Sequence, residues 1–162
     1  MKVRRRGGRL TLVLADHEIA LMQSLLDEMA ALFDESDALD ASDPVLRRLF
    51  PSAYLDDEDA EADYRSMTES SLRSERVDRV AACSGELAVS GEGRTGVDLT
   101  DPDASKRWIQ VLNDIRLALG TRIGVSDDEP PDLDPTDPDA QPWLIYHWLT
   151  AVQDSVVTAL MG

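Results

Sequence analysis

The apolar C-terminal segment 142–161 constrains the fold more than any other part of the chain. Most of its residues are apolar, and Asp154 is the one Asp, Glu, Lys or Arg among them. Pro142 suits the first turn of a helix, because that position needs no backbone N–H donor. A helix that is apolar on most sides has to be buried. We therefore expect residues 142–161 to form the central helix of a bundle, or to bury a face in a homodimer.

Apolar residues recur at helical spacing in three further segments, which we predict as helices. Residues 101–119 have the strongest stripe, and residues 17–35 are similar. Residues 58–84 have a weaker stripe, so this helix should lie across the other three and end at Gly85. Pro44 is expected to open a short helix that stops before Pro51. The apolar stripe of 17–35 contains Ile19, Met22, Leu26, Met29 and Phe33, and that of 58–84 contains Tyr64, Met67, Val77 and Val80. The stripe of 101–119 contains Trp108, Ile109, Leu112, Ile115 and Leu119.

Two segments have the two-residue alternation of β-strands. Leu10 to Ala15 predicts a short strand, and residues 86–99 predict a small hairpin. Within the latter, the glycine-rich piece GEGRTG (91–96) lacks the Gly-Lys-Ser/Thr ending of a phosphate-binding loop, so a turn is favoured. The fold class expected is mainly α: a single-domain helical bundle over residues 1–162, with an N-terminal strand plus a short hairpin as its minor β element.

Charge is strongly segregated along the chain. There are 16 basic against 32 acidic residues, a formal net charge of −16, yet every charged residue within 1–9 is basic. This balance argues against nucleic-acid binding over the whole surface. The basic N-terminal arm 1–9 alone offers a contact for nucleic acid or an acidic partner, or it folds back on its own chain. The acidic, proline-rich loop 127–139 is expected to be extended, as a solvated connector or as a competitor for a basic surface.

Cys83 is the single cysteine, which excludes an intrachain disulfide and any multi-cysteine zinc site. A packing role is the default, because free cysteines are often buried. A reactive thiol is the alternative, although a position near a helix C-terminus opposes the thiolate. The two histidines, His17 and His147, lack a second strong ligand at helical spacing, so we predict no metal site and no cofactor.

The run LNDIRLALGTRIG (112–124) places Asn113, Asp114 and Arg116 among apolar neighbours. Buried polar groups of this kind need partners. One interpretation is a pocket for an anion or a partner, with Arg116 as the fork and His147 contributed by the last helix. The other is a set of hydrogen-bonded ties that fix helix packing. Since no catalytic set is evident, we do not expect an enzyme.

Together, LNDIRLALGTRIG (112–124) and WLIYHWLTAVQDSVV (143–157) resemble a family of small actinobacterial proteins of unknown function. One branch of that family is described as an oxidation-sensing transcriptional cofactor that acts with a sigma factor. The resemblance implies a mostly helical, non-enzymatic regulatory protein. It also implies a redox mechanism based on paired cysteines, which this chain cannot reproduce with Cys83 alone.

We therefore expect a regulatory protein-binding module, a transcriptional cofactor whose partner belongs to the transcription machinery. One alternative is a small-ligand or anion-binding protein, or an enzyme, with a pocket around Asn113, Arg116 and His147. Another is a single-thiol redox sensor through Cys83. The absence of a long apolar stretch and of a secretory pattern predicts a cytoplasmic protein with no membrane partner.

Overall fold

The structure is a computed structural model that describes residues 1–34, 42–91, 96–126, 134 and 136–162. This part of the chain is mainly helical and has a small three-stranded antiparallel sheet, which confirms the expected fold class. The elements in chain order are β1 (Lys2–Arg6), β2 (Arg9–Val13), α1 (Asp16–Asp34), α2 (Pro44–Leu49), α3 (Glu58–Gly91), β3 (Val97–Asp98), α4 (Pro102–Arg122), a 3-10 turn (Pro138–Ala140) and α5 (Gln141–Met161).

The basic N-terminal segment folds back on the chain rather than extending as an arm. β1 pairs antiparallel with β2, and the turn between them consists of Gly7 and Gly8. Both glycines have positive φ, 57° and 82°, as a two-residue turn of type I′ requires. The strand predicted at Leu10 to Ala15 is confirmed as β2, and its hairpin partner is the arginine-rich segment before it.

The prediction of a hairpin within residues 86–99 is wrong, as is the predicted end of the helix at Gly85. α3 continues to Gly91, and the described residues that follow contribute only β3, which pairs with β2. Leu87 lies one turn beyond Cys83 on α3, and both side chains are fully buried. This core contact outweighs the local alternation and the low helix propensity of glycine. Most of the predicted turn 91–96 lies outside the described residues.

The predicted helices 17–35 and 142–161 are confirmed as α1 and α5. The core combines α1, α4 and α5 with the C-terminal half of α3, the short helix α2 and the inner face of the sheet. Trp108 of α4 is its largest fully buried side chain. The helix predicted over 101–119 is α4, which ends at Arg122 and not at Leu119. Gly124, with a φ of +69°, follows the end of the helix. Gly120 is therefore inside the helix and not its stop.

Most of the predicted acidic loop, residues 127–133 and 135, lies outside the described residues. Where the chain is described again, Asp137 caps the 3-10 turn by accepting a hydrogen bond from the Asp139 backbone N–H at 2.9 Å. Among the described helices, none combines the length and the apolar character needed to cross a membrane.

Candidate functional site

Arg116 projects from α4 onto α5, where three side chains orient its guanidinium group. Its Nε donates to Thr150 Oγ1 at 3.1 Å, and its Nη1 donates to Gln153 Oε1 at 2.7 Å. The guanidinium carbon lies 5.4 Å from the centre of the Tyr146 ring. Tyr146, Thr150 and Gln153 share one face of α5 because they are spaced four and three residues apart. Both hydrogen-bond acceptors are neutral, so they orient the charge without cancelling it.

The hydroxyl of Thr150 is itself held in place. It donates to the backbone carbonyl of Tyr146 at 2.9 Å, one turn earlier on α5. A lone pair of the hydroxyl oxygen is then directed at the Nε–H of Arg116. The polar network is continuous from the α5 backbone to the arginine on α4, which favours a single orientation of the guanidinium.

Beside this network lies a cleft of about 390 Å³ between α2, α4 and α5. Arg48 of α2 and Arg116 contribute its two charged side chains, and the helix end that follows Gly120 forms one wall. Among the described residues, Arg48 forms no ion pair. The lining consists of Arg48, Arg116, Leu117, Gly120, Thr121, Gly124, Val125 and Tyr146.

Asp114 lies on a different side of α4, away from the cleft. Its carboxylate is nearly buried and pairs with Arg76 of α3. Arg76 also donates from Nη2 to the Leu49 carbonyl at 2.8 Å and lies 4.9 Å from the centre of the Phe50 ring. Asp114 thus ties three helices together and has a structural role in this geometry.

The remaining members of the predicted pocket do not join Arg116 in the cleft. Asn113 is half-buried on α4, and His147 is exposed on α5; neither lines the cleft. The His147 ring contacts the rings of Trp143 and Tyr146, with centroids 6.4 and 5.9 Å apart. Sequence analysis missed Arg48 and Tyr146. The only sign in the sequence of the hydrogen bonds to Arg116 was that two polar residues, Thr150 and Gln153, lie three positions apart on an otherwise apolar helix.

Cys83 is fully buried in α3, and its surroundings disfavour the thiolate. Burial, with a smaller contribution from the Glu86 carboxylate, raises the pKa of the thiol to about 12 against the opposing charges of Arg107 and Arg79. Arg107 pairs with Glu86, whose second oxygen accepts a hydrogen bond from Trp108 Nε1 at 2.7 Å. A thiol in this state is protonated at neutral pH and is a poor nucleophile. The predicted packing role of Cys83 agrees with this geometry.

The hairpin presents a cationic outer face. Cross-strand partners share a face of the sheet, and Arg5 opposes buried Leu10 on the inner side, where it donates to the Ala159 carbonyl of α5. The outer face carries Lys2, Arg4, Arg6 and Arg9, all exposed. Arg9 pairs with Asp98 at 2.8 Å, and this contact lowers the pKa of that carboxyl group to about 2. We call Lys2, Arg4 and Arg6 the cationic face; none of the three forms an ion pair with another described residue.

The described residues contain no group of three or more His, Cys, Asp or Glu side chains placed to hold a metal ion. His17 is exposed in the first turn of α1.

The chain is similar to proteins of one family over nearly its whole length. A family model described as "Domain of unknown function (DUF2017)" matches residues 1–160. The "Oxidative stress regulator AosR" of Mycobacterium tuberculosis (strain H37Rv) is 33% identical, and the match covers 98% of this chain and 85% of that protein. The "Putative oxidative stress regulator AosR" of Mycobacterium leprae is 30% identical, with 96% and 84% covered. No solved structure matches the chain.

Proposed function

The chain belongs to the DUF2017 family, and from this premise we propose that it is a regulatory protein that acts by binding a protein partner in the control of transcription. The regulatory part of the proposal rests on relatives named oxidative stress regulators, which match nearly the whole chain. Because the match covers nearly the whole chain, we expect the surfaces that these relatives use in regulation to have counterparts in this protein.

The cationic face of the hairpin is the observation that carries the partner-binding part. Lys2, Arg4 and Arg6 are exposed on one side of a sheet in a chain with a net charge of −16. Like charges on neighbouring positions repel each other and weaken the sheet, and Arg6 directly opposes Arg9. A basic face on an acidic body attracts an acidic surface in one orientation. The partner expected is therefore a protein with an acidic patch.

Oxidant sensing through Cys83 receives no support from its geometry, because the thiol is buried and its pKa is raised. The proposed regulator therefore does not depend on a thiolate at this position.

The experiment is deletion of the gene in its own host, followed by transcript profiling with and without hydrogen peroxide. We expect the deletion to change a defined set of transcripts, and the wild-type gene to restore them. A double variant, Arg4→Ser with Arg6→Ser, should fail to restore them at equal protein level. Arg47→Ser with Lys106→Ser is the matched control, since it removes two exposed charges elsewhere.

Two outcomes contradict the proposal separately. Transcripts that do not change on deletion under either condition would remove the regulatory role. Full restoration by the Arg4/Arg6 variant would leave that role intact but exclude the cationic face as the partner surface.

We also propose that two copies associate through α5. Val157, Leu160 and Met161 are 36%, 39% and 84% exposed, and their spacing of three and four residues places them on one face of this helix. Analytical ultracentrifugation should show a dimer at micromolar concentration that Leu160→Ser weakens. A monomer at every concentration would exclude the association.

A further inference from the structure

The cleft between α2, α4 and α5 combines two positive charges with an apolar wall, on a chain that is otherwise strongly acidic. A volume of about 390 Å³ lies within the range of small-molecule sites. Nothing in the proposed regulatory function requires such a cleft.

The charge of Arg116 is oriented but not compensated. Thr150 and Gln153 accept two of its N–H donors, while a guanidinium group has five. No described carboxylate pairs with it. The Tyr146 ring limits the side chain further, so little conformational entropy remains to be lost when a ligand binds. A planar, oriented fork of donors matches the two oxygens of a carboxylate or phosphate group.

Arg48 supplies a second charge from α2, close to the C-terminal end of α4. The C-terminus of a helix has a negative partial charge, which by itself would repel one. Here the carbonyl of Gly120 accepts a hydrogen bond from Val125 N–H at 2.8 Å, and that of Leu119 accepts one from Ile123 N–H at 3.0 Å. These bonds satisfy two of the carbonyls at this helix end, and the two arginines are the charged side chains of the cleft.

The rest of the lining is largely apolar. Leu117, Val125 and the Tyr146 ring form a wall beside the arginines, and Gly120 packs against the edge of that ring. A free inorganic ion would not use this wall, whereas an organic anion with an apolar group would bury surface against it.

We propose that this cleft binds a small organic oxyanion, a carboxylate or a phosphate monoester attached to an apolar group. Arg116 and Arg48 bind the oxyanion, and Leu117, Val125 and Tyr146 contact the apolar group. The site is separate from the cationic face of the hairpin, so the inference goes beyond the proposed partner binding and is tested independently of it.

The test uses the full chain labelled with ¹⁵N and titrated with benzoate, with phenyl phosphate and with neutral benzyl alcohol. We expect saturable shifts of the Gly120, Thr121 and Gly124 amides with at least one of the two anions below about 10 mM, and none with the alcohol. Whichever anion binds more tightly identifies the oxyanion that the site prefers.

Variants assign the binding to the two arginines. Arg48→Gln removes an exposed charge and should weaken binding about fivefold. Arg116→Lys keeps the charge but loses the fork, and should weaken binding about tenfold or more. Arg122→Gln is the matched control, since Arg122 lies on the same helix, outside the cleft, and pairs with Glu28; its effect should stay below about twofold.

The proposal is overturned if no amide of the cleft shifts with either anion, or if benzyl alcohol gives the same shifts. It is also overturned if Arg122→Gln weakens binding as much as Arg48→Gln, because the effect would then be general electrostatics. Arg48 is exposed on the surface, so its variant keeps the test valid even if the Arg116 variant loses stability.

Discussion

Gly120 of α4 lies directly against Tyr146 of α5: a Cβ atom at position 120 would come within 3.1 Å of Tyr146 Cε2. That distance is shorter than ordinary van der Waals contact. The Tyr146 ring has limited room to move, because the Arg116 guanidinium lies 5.4 Å from its centre. The absence of a side chain at position 120 is therefore what allows α4 and α5 to approach beside the cleft.

Gly120→Ala should lower the free energy of unfolding by about 1 kcal/mol, since the strain against Tyr146 exceeds the gain in helix propensity. Gly85→Ala is the matched control: Gly85 is also inside a helix, and its added Cβ would have no neighbour within 4 Å. That variant should gain up to about 1 kcal/mol from helix propensity alone. Urea denaturation measures both, and a stabilised Gly120→Ala would show that the two helices are not held this closely.

The ion pair between Asp114 and Arg76 connects α4 to α3, and Arg76 reaches the end of α2 as well. Asp114→Asn leaves a half-buried guanidinium without its carboxylate, which should cost about 2–3 kcal/mol of stability. The control is Glu75→Gln, whose pair with Arg79 spans 3.7 Å with Glu75 two-thirds exposed; it should cost less than about 0.5 kcal/mol. Equal losses in the two variants, measured by thermal and urea unfolding, would contradict the structural role of Asp114.

The spacing of apolar residues along the sequence predicted the helices that bury a continuous stripe of apolar side chains. The segments 17–35 and 142–161 were identified because their apolar residues repeat with the helical period, and burial of such a stripe depends little on its partner. The strand Lys2–Arg6 was not predicted as a strand, because a run of arginines has no apolar alternation. Its structure comes from pairing with β2, which is a tertiary effect.

In the candidate site, too, local patterns predicted some residues, whereas others depend on tertiary contacts. Arg116 was identified because a charge between apolar neighbours on a helix needs a partner. Arg48 lies in a different helix, and no sequence pattern indicates that α2 packs beside the end of α4. Tyr146 is indistinguishable from a core aromatic residue until its contact with Arg116 is seen. His147, which was predicted to contribute to the pocket, is exposed instead; it follows Tyr146 by one residue and so lies about 100° further around the helix.

Glu18 should make the stability of the protein depend on pH in the acid range. Burial alone would raise the pKa of this carboxyl group, but hydrogen bonds from the Ala15 N–H, the Met1 ammonium and the Trp148 indole lower it below the ordinary value of 4.5. A group whose pKa is lowered by folding stabilises the folded state above its unfolded pKa, and this contribution is lost as the pH falls through the folded pKa.

The variant Glu18→Gln removes the titration while keeping the shape of the side chain. Its deficit in urea midpoint relative to wild type should be largest near pH 7 and should shrink as the pH falls below about 4.5. Glu28→Gln is the control, because Glu28 is exposed and its one ion pair within the described part of the chain is with exposed Arg122. A deficit for Glu18→Gln that is constant from pH 7 to pH 3 would mean that the carboxylate charge contributes nothing.

Cys83 should be inert in the folded protein and reactive once the protein unfolds. The thiol is fully buried, and its pKa of about 12 leaves almost no thiolate at neutral pH. Labelling with a disulfide reagent should therefore be slow in buffer and complete within the dead time in concentrated urea.

Between these limits, the labelling rate of Cys83 should follow the population of unfolded protein. The destabilised Asp114→Asn variant should therefore label faster than Glu75→Gln at the same urea concentration. Rapid labelling of the native protein, equal in both variants, would show that Cys83 is reached without unfolding and would restore a single-thiol sensor as a mechanism.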